Sequence, residues 1–148
     1  MRTLLRSLLV ATLLTMAAIG VAPGAASADP VNICGNQAVP AGWVVISVRT
    51  SAGCGGGTLN QRTIKTPGAI ENVCLSSAIP SGYVVVAQQT NSVCGGSPLN
   101  QRTIKIPGAV EYVCQSSPIP PGYVVVSSHT STVCGGSPLN QRRITRVG

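Results

Sequence analysis

Cys74-Leu75-Ser76-Ser77-Ala78-Ile79-Pro80-Ser81-Gly82-Tyr83-Val84-Val85-Val86 is the stretch on which the fold turns. It joins a cysteine, a Pro-x-Gly turn and a β-branched run, the signature of a short strand entered through a tight turn. The same phrase occurs one period earlier as Pro40-Ala41-Gly42-Trp43-Val44-Val45 and one period later as Pro120-Pro121-Gly122-Tyr123-Val124-Val125. Outward from it, Leu59-Asn60-Gln61-Arg62 returns as Leu99-Asn100-Gln101-Arg102 and as Leu139-Asn140-Gln141-Arg142. The period is 40 residues, and self-similarity at such a period identifies a repeat architecture. No stretch downstream of the N-terminal segment sustains the 3.6-residue apolar period of a helix.

Each repeat reads as three short strands. In the middle copy they are expected from about Ile70 to Ser76, from Tyr83 to near Thr90, and from Leu99 to Ile106. Cys94-Gly95-Gly96-Ser97-Pro98 is the loop between the last two, and Pro107-Gly108 is expected to form a type II turn leading to the next copy. The fold class predicted is all-β, with three tandem disulfide-linked repeats over 29–70, 71–110 and 111–148. A closed pseudo-threefold arrangement of the β-trefoil or prism kind is the alternative. It has weaker support, because no copy holds Gln-x-Trp and three strands per copy fall short of the trefoil's four.

The first 28 residues stand apart. Arg2 and Arg6 precede an uncharged apolar run from Leu8 to Ile19, and Ala26-Ser27-Ala28 has the small-residue pattern of a signal-peptidase site. The apolar run is shorter than the roughly 20 residues that a spanning helix needs. Cleavage near Ala28 and secretion, either to the medium or to the cell wall, are therefore expected, with no transmembrane anchor. Without Arg2 and Arg6, eight of the ten Lys and Arg face Asp29, Glu71 and Glu111, a formal net charge of +5. Phe is absent, and Trp43, Tyr83, Tyr112 and Tyr123 are the only aromatics. A chain so poor in large apolar side chains needs covalent support.

Six cysteines supply it. Cys34, Cys54, Cys74, Cys94, Cys114 and Cys134 lie at a uniform spacing of 20. Pairing within each copy uses every thiol, whereas the shifted scheme strands Cys34 and Cys134 unless the molecule closes into a ring. A metal site is not expected, because ligand clusters such as C-x₂-C are missing and His129 is the only histidine.

Candidate recognition residues form two sets. On the second strand, alternation places Trp43, Tyr83 and Tyr123 on the same face as Arg49, Gln89 and His129, an aromatic at one end and a variable polar tip at the other. The aromatics read either as a platform or as core plugs. The second set is the recurring triplet Asn60-Gln61-Arg62, Asn100-Gln101-Arg102 and Asn140-Gln141-Arg142, suited to directed hydrogen bonds with hydroxyls or carboxylates, or else to satisfying loop backbone.

Enzymatic chemistry is not expected. Glu71 and Glu111 occupy equivalent positions in different copies, so no carboxylate pair flanks one bond. His129 stands alone, with no G-x-S-x-G elbow, P-loop or C-x-x-C nearby. No cofactor is implied. Nucleic acid is not an expected partner, since the charge is modest and aromatics are not interleaved with it. An extracellular polysaccharide or anionic envelope polymer fits a basic exported surface better.

The pattern Cys-x₅-Pro-x-Gly-[Trp/Tyr]-Val-Val, closing on Cys-Gly-Gly, resembles short tandem repeats of exported bacterial proteins with no assigned activity. It covers nearly all of 31–148 and implies no mechanism. The sequence thus points to a secreted non-enzymatic binding protein with glycan or cell-wall polymer as its ligand. The alternatives are a secreted inhibitor or antimicrobial acting on a protein or membrane target, and a structural surface component.

Overall fold

The computed structural model describes residues 30–148. The expected signal peptide over 1–28 and its cleavage site lie outside them. Among the described residues, nine strands form three separate three-stranded antiparallel sheets, one per repeat. The first holds β1 (Val31–Cys34), β2 (Val44–Arg49) and β3 (Gln61–Lys65); the second holds β4 (Ile70–Cys74), β5 (Val84–Gln89) and β6 (Gln101–Lys105). The third holds β7 (Val110–Cys114), β8 (Tyr123–His129) and β9 (Gln141–Arg146). In every sheet the last strand lies in the middle, giving the orders β1-β3-β2, β4-β6-β5 and β7-β9-β8. The sheets do not close into a trefoil or prism, so the closed alternative is set aside.

The disulfides are Cys34–Cys54, Cys74–Cys94 and Cys114–Cys134, each closing within one repeat with Cα atoms 5.2–5.3 Å apart. The second cysteine of each pair ends a short 3-10 turn, Ala52–Cys54, Ser92–Cys94 or Thr132–Cys134. The Pro-x-Gly phrase makes the sharp turn. Tyr83 N donates to Pro80 O at 3.2 Å while Gly82 takes φ +84°, the left-handed position of a type II turn. The type II turn expected at Pro107-Gly108 does not form there, since Gly108 is not among the positive-φ glycines. At that point the chain crosses to the next sheet rather than reversing on itself, and the two carbonyls accept the Tyr123 hydroxyl at 3.0 and 2.9 Å.

The repeats are not beads, because their cores run across the boundaries. Val44, Val73, Val85, Ile104 and the Cys114–Cys134 disulfide form one cluster that draws on all three repeats. Val45 and Ile64 pack on Cys74, and Val84 packs with Val113 and Ile144. The edge strand of one repeat is thus buried by the first strand and disulfide of the next. Each junction is pinned by polar contacts at equivalent positions. Ser77 Oγ accepts the Val45 N–H at 3.0 Å, and Ser117 Oγ accepts the Val85 N–H at 2.9 Å. Lys65 pairs with Glu71 at 2.7 Å and Lys105 with Glu111 at 2.6 Å. Each serine thus takes one edge-strand N–H that would otherwise be left unpaired or open to another chain.

Candidate functional site

A β-bulge changes the reading of the second strand. Val45 pairs with Ile64 but Ser47 with Thr63, so one residue is inserted, and the same shift recurs at Val85/Ala87 and Val125/Ser127. An extra residue inverts the alternation beyond it. Trp43 therefore joins the cluster of Val45, Ile64, Ile33 and Val48. Arg49 lies with Gln61, Ser47 and Thr63 on the opposite face, where Arg49 Nε donates to Gln61 Oε1 and Ser47 Oγ to Thr63 Oγ1. The expected shared face of aromatic and polar tip is not formed, and the bulge is the reason.

The aromatics are engaged in packing. Tyr83 packs against the cluster shared by all three repeats and Tyr123 against Val84, Val113 and Ile144, and the Tyr83 hydroxyl donates to Gly68 O at 2.9 Å and Pro67 O at 3.2 Å. Burial, with the Glu71 charge as a smaller contributor, pushes the ionisation of Tyr83 upward.

Alternation along the third strand splits the recurring triplet three ways. Each asparagine caps its loop: Asn100 Oδ1 accepts Asn91 N at 2.8 Å, and its Nδ2 donates to the carbonyls of Asn91 and Gly95. Asn60 and Asn140 repeat this with Ser51 and Gly55, and with Ser131 and Gly135. Each glutamine goes to the outer face beside the variable tip. Gln101 Oε1 accepts from Gln89 and Asn91, and Gln141 is the register partner of His129. Each arginine turns to the other face. Arg142 Nη2 donates to the carbonyls of Gln115 and Ser117, and burial lowers the pKa of Arg102.

The outer faces carry short polar ladders. The first is Asn32, Thr63 and Ser47, with Thr63 Oγ1 donating to Asn32 Oδ1 at 2.9 Å. The second, Asn72, Thr103 and Ala87, has the matching bond at 2.8 Å. In the third sheet the corresponding residues are Tyr112, Arg143 and Ser127. Tyr112 is 47% exposed, and its ring meets the His129 imidazole edge-on with centroids 5.7 Å apart. His129 Nε2 lies 2.8 Å from Ser127 Oγ, and Gln141 flanks it on the middle strand. An open aromatic ring, a guanidinium, an imidazole, a hydroxyl and an amide thus gather on one sheet face. Among the described residues no carboxylate completes the Ser127–His129 contact into a nucleophile-activating relay, since Glu71 and Glu111 are both held by lysines.

Tyr112 and Arg143 were not among the candidates read from the sequence. The available signal was that both depart from their copies, Asn32 and Asn72 in one case and Thr63 and Thr103 in the other. Among the described residues no group of three or more His, Cys, Asp or Glu is placed to hold a metal ion, and no helix is long and apolar enough to cross a membrane. Comparison of the chain with profiles of known families, with curated proteins and with solved structures gives no match.

Proposed function

We propose that this chain is an exported, non-enzymatic binding protein whose ligand is a glycan or cell-wall polymer, engaged on the outer face of the third sheet. The observation that carries the reading is the exposed Tyr112 ring set beside Arg143, Ser127, His129 and Gln141. An aromatic face gives apolar contact to the C–H face of a sugar ring, while the surrounding amide, guanidinium and hydroxyl groups direct hydrogen bonds to its hydroxyls. The polar ladders of the first two sheets add weaker contacts along an extended polymer, and linked weak sites gain avidity. Three intra-repeat disulfides support a destination outside the cytoplasm. Arg143 and Arg146 place positive charge on the same strand, which favours acidic polymers and makes binding weaken with salt.

The test is a glycan and cell-wall polysaccharide binding screen with the parent chain and Tyr112→Ala. Saturable binding that sugar competes, and that Tyr112→Ala loses without a change in melting temperature, is the expected result. A parent that binds no polysaccharide, or a Tyr112→Ala chain that binds like the parent, refutes the proposal.

A further inference from the structure

The same strand is buried twice and open once. Val44 and Val84 are 0% exposed because the following repeat covers them; Val124, at the equivalent place on β8, is 43% exposed, and Val125 and Val126 are similarly open. This strand of the third repeat is thus apolar where a terminal repeat usually turns a polar surface outward. Leucines tell the same story. The Leu59 side chain lies against Gly95 and that of Leu99 against Gly135, so close that an added Cβ would meet their Cδ1 atoms at 3.0 and 3.1 Å. Leu139 is 57% exposed, against 48% for Leu59 and 38% for Leu99. At the other end of the row the complementary hollow is open, for a Cβ built on Gly55 meets nothing within 4 Å.

We propose that these two ends are one interface, and that a second copy of this chain seats its first repeat on the third repeat of the copy before it. The occupant follows from the two junctions already built into the chain. What covers the strand, Val44-Val45-Ile46 in one junction and Val84-Val85-Val86 in the other, is the first strand, disulfide and Ser77 or Ser117 of a following repeat. Among the described residues, only the first repeat has that surface uncommitted. The two ends also differ from the inner repeats in step. The ion pairs of the inner junctions, Lys65–Glu71 and Lys105–Glu111, correspond at the ends to Thr145 and Val31, so at these two positions no unpaired charge enters the contact. Gln37 stands where Ser77 and Ser117 stand. Its Oε1 accepts Cys34 N at 2.8 Å and has a second lone pair for the Val125 N–H. Joining head to tail is a heterologous contact, which builds rings if the rotation closes and open filaments if it does not. This assembly is independent of the ligand proposed above.

Sedimentation velocity on the purified chain, from micromolar to millimolar, tests it with two blocked variants. Val124→Lys blocks the tail, and Gln37→Lys blocks the head; both positions are exposed in the single chain, so both variants should melt like the parent. Leu139→Glu is a second tail block should Val124→Lys fail to fold. The expected result is a parent whose mass grows with concentration, variants that each stay single chains, and an equimolar mixture of a head-blocked and a tail-blocked variant that forms a two-chain complex and stops. A parent that stays a single chain at millimolar concentration overturns the proposal. So does a Gln37→Lys chain that still pairs, which would mean tail-to-tail contact, or a mixture that forms no complex.

Discussion

Replacing Ser77 with alanine removes one oxygen from the boundary between the first two repeats. That oxygen accepts the Val45 N–H at 3.0 Å and donates to the Ala78 carbonyl at 3.2 Å, in a residue only 5% exposed. Val45 is itself buried, so water cannot take over the acceptor's role. Leaving a buried N–H without a partner costs about 1–3 kcal/mol. At about 4 °C per kcal/mol for a chain of this size, the melting temperature of Ser77→Ala should fall by roughly 4–12 °C. Ser117→Ala should do the same at the second junction, where the Val85 N–H bond is 2.9 Å. Ser76→Ala is the internal control, since this neighbouring serine is exposed and surface changes stay within about 0.5 kcal/mol. Calorimetry gives the shift, and amide hydrogen exchange at Val45 and Val85 locates it. A Ser77→Ala chain that melts with the parent and keeps a slowly exchanging Val45 amide would mean that the repeats are stabilised separately and that the junction bond contributes nothing.

Tyr83→Phe removes the hydroxyl bonds to Pro67 and Gly68 and should cost about 1 kcal/mol in urea melts at neutral pH. Because burial raises the Tyr83 pKa in the folded state, the neutral phenol contributes stability that is fully present below about pH 10 and is lost as pH rises through the higher folded value. Tyr83→Phe should therefore flatten the alkaline limb of the stability curve, and an unchanged limb would exclude this account. Gly95→Ala should destabilise more than Gly55→Ala. Both glycines hold positive φ, but only at Gly95 does a Cβ meet the preceding repeat's leucine; equal losses in thermal melts would remove the leucine contact from the junction's energetics.

Much of the fold is legible in local chemistry. Cysteine spacing, the Pro-x-Gly turn and the Val run act over a few residues, and each survives in the structure with strand ends shifted by one or two positions. What the local pattern does not contain is which strand lies in the middle and what covers the edge strand. Val44 and Val45, adjacent in sequence and on opposite faces of one strand, are both buried. A half-buried strand hides every second residue, so two neighbouring valines below 2% exposure require an element wrapped around the edge, supplied here by the next repeat. Ser77 carries the same lesson. A serine in a turn-rich stretch reads as loop chemistry, and its role in holding the preceding repeat is visible only once that repeat's edge is in place.

The candidate site was hidden for a related reason. The triplet Asn-Gln-Arg looks like one unit because it repeats, yet its members face different ways: the asparagine caps a loop in all three copies, the glutamine bonds on the outer face in the first two, and Arg142 clamps carbonyls in the third. The tyrosines after Pro-x-Gly recur because each secures the link from the preceding sheet. In this chain, identity among the copies tracks the demands of stacking. The departures from identity are then the informative positions, and several of the third repeat's collect in space. Tyr112 replaces asparagine, Arg143 replaces threonine and His129 replaces arginine or glutamine, all on the outer face of one sheet. Packing does not demand these changes, because the first two sheets form the same strands without them. A repeat protein can vary its outer faces freely while its junctions stay fixed, so the proposed ligand contact is to be sought where the copies disagree.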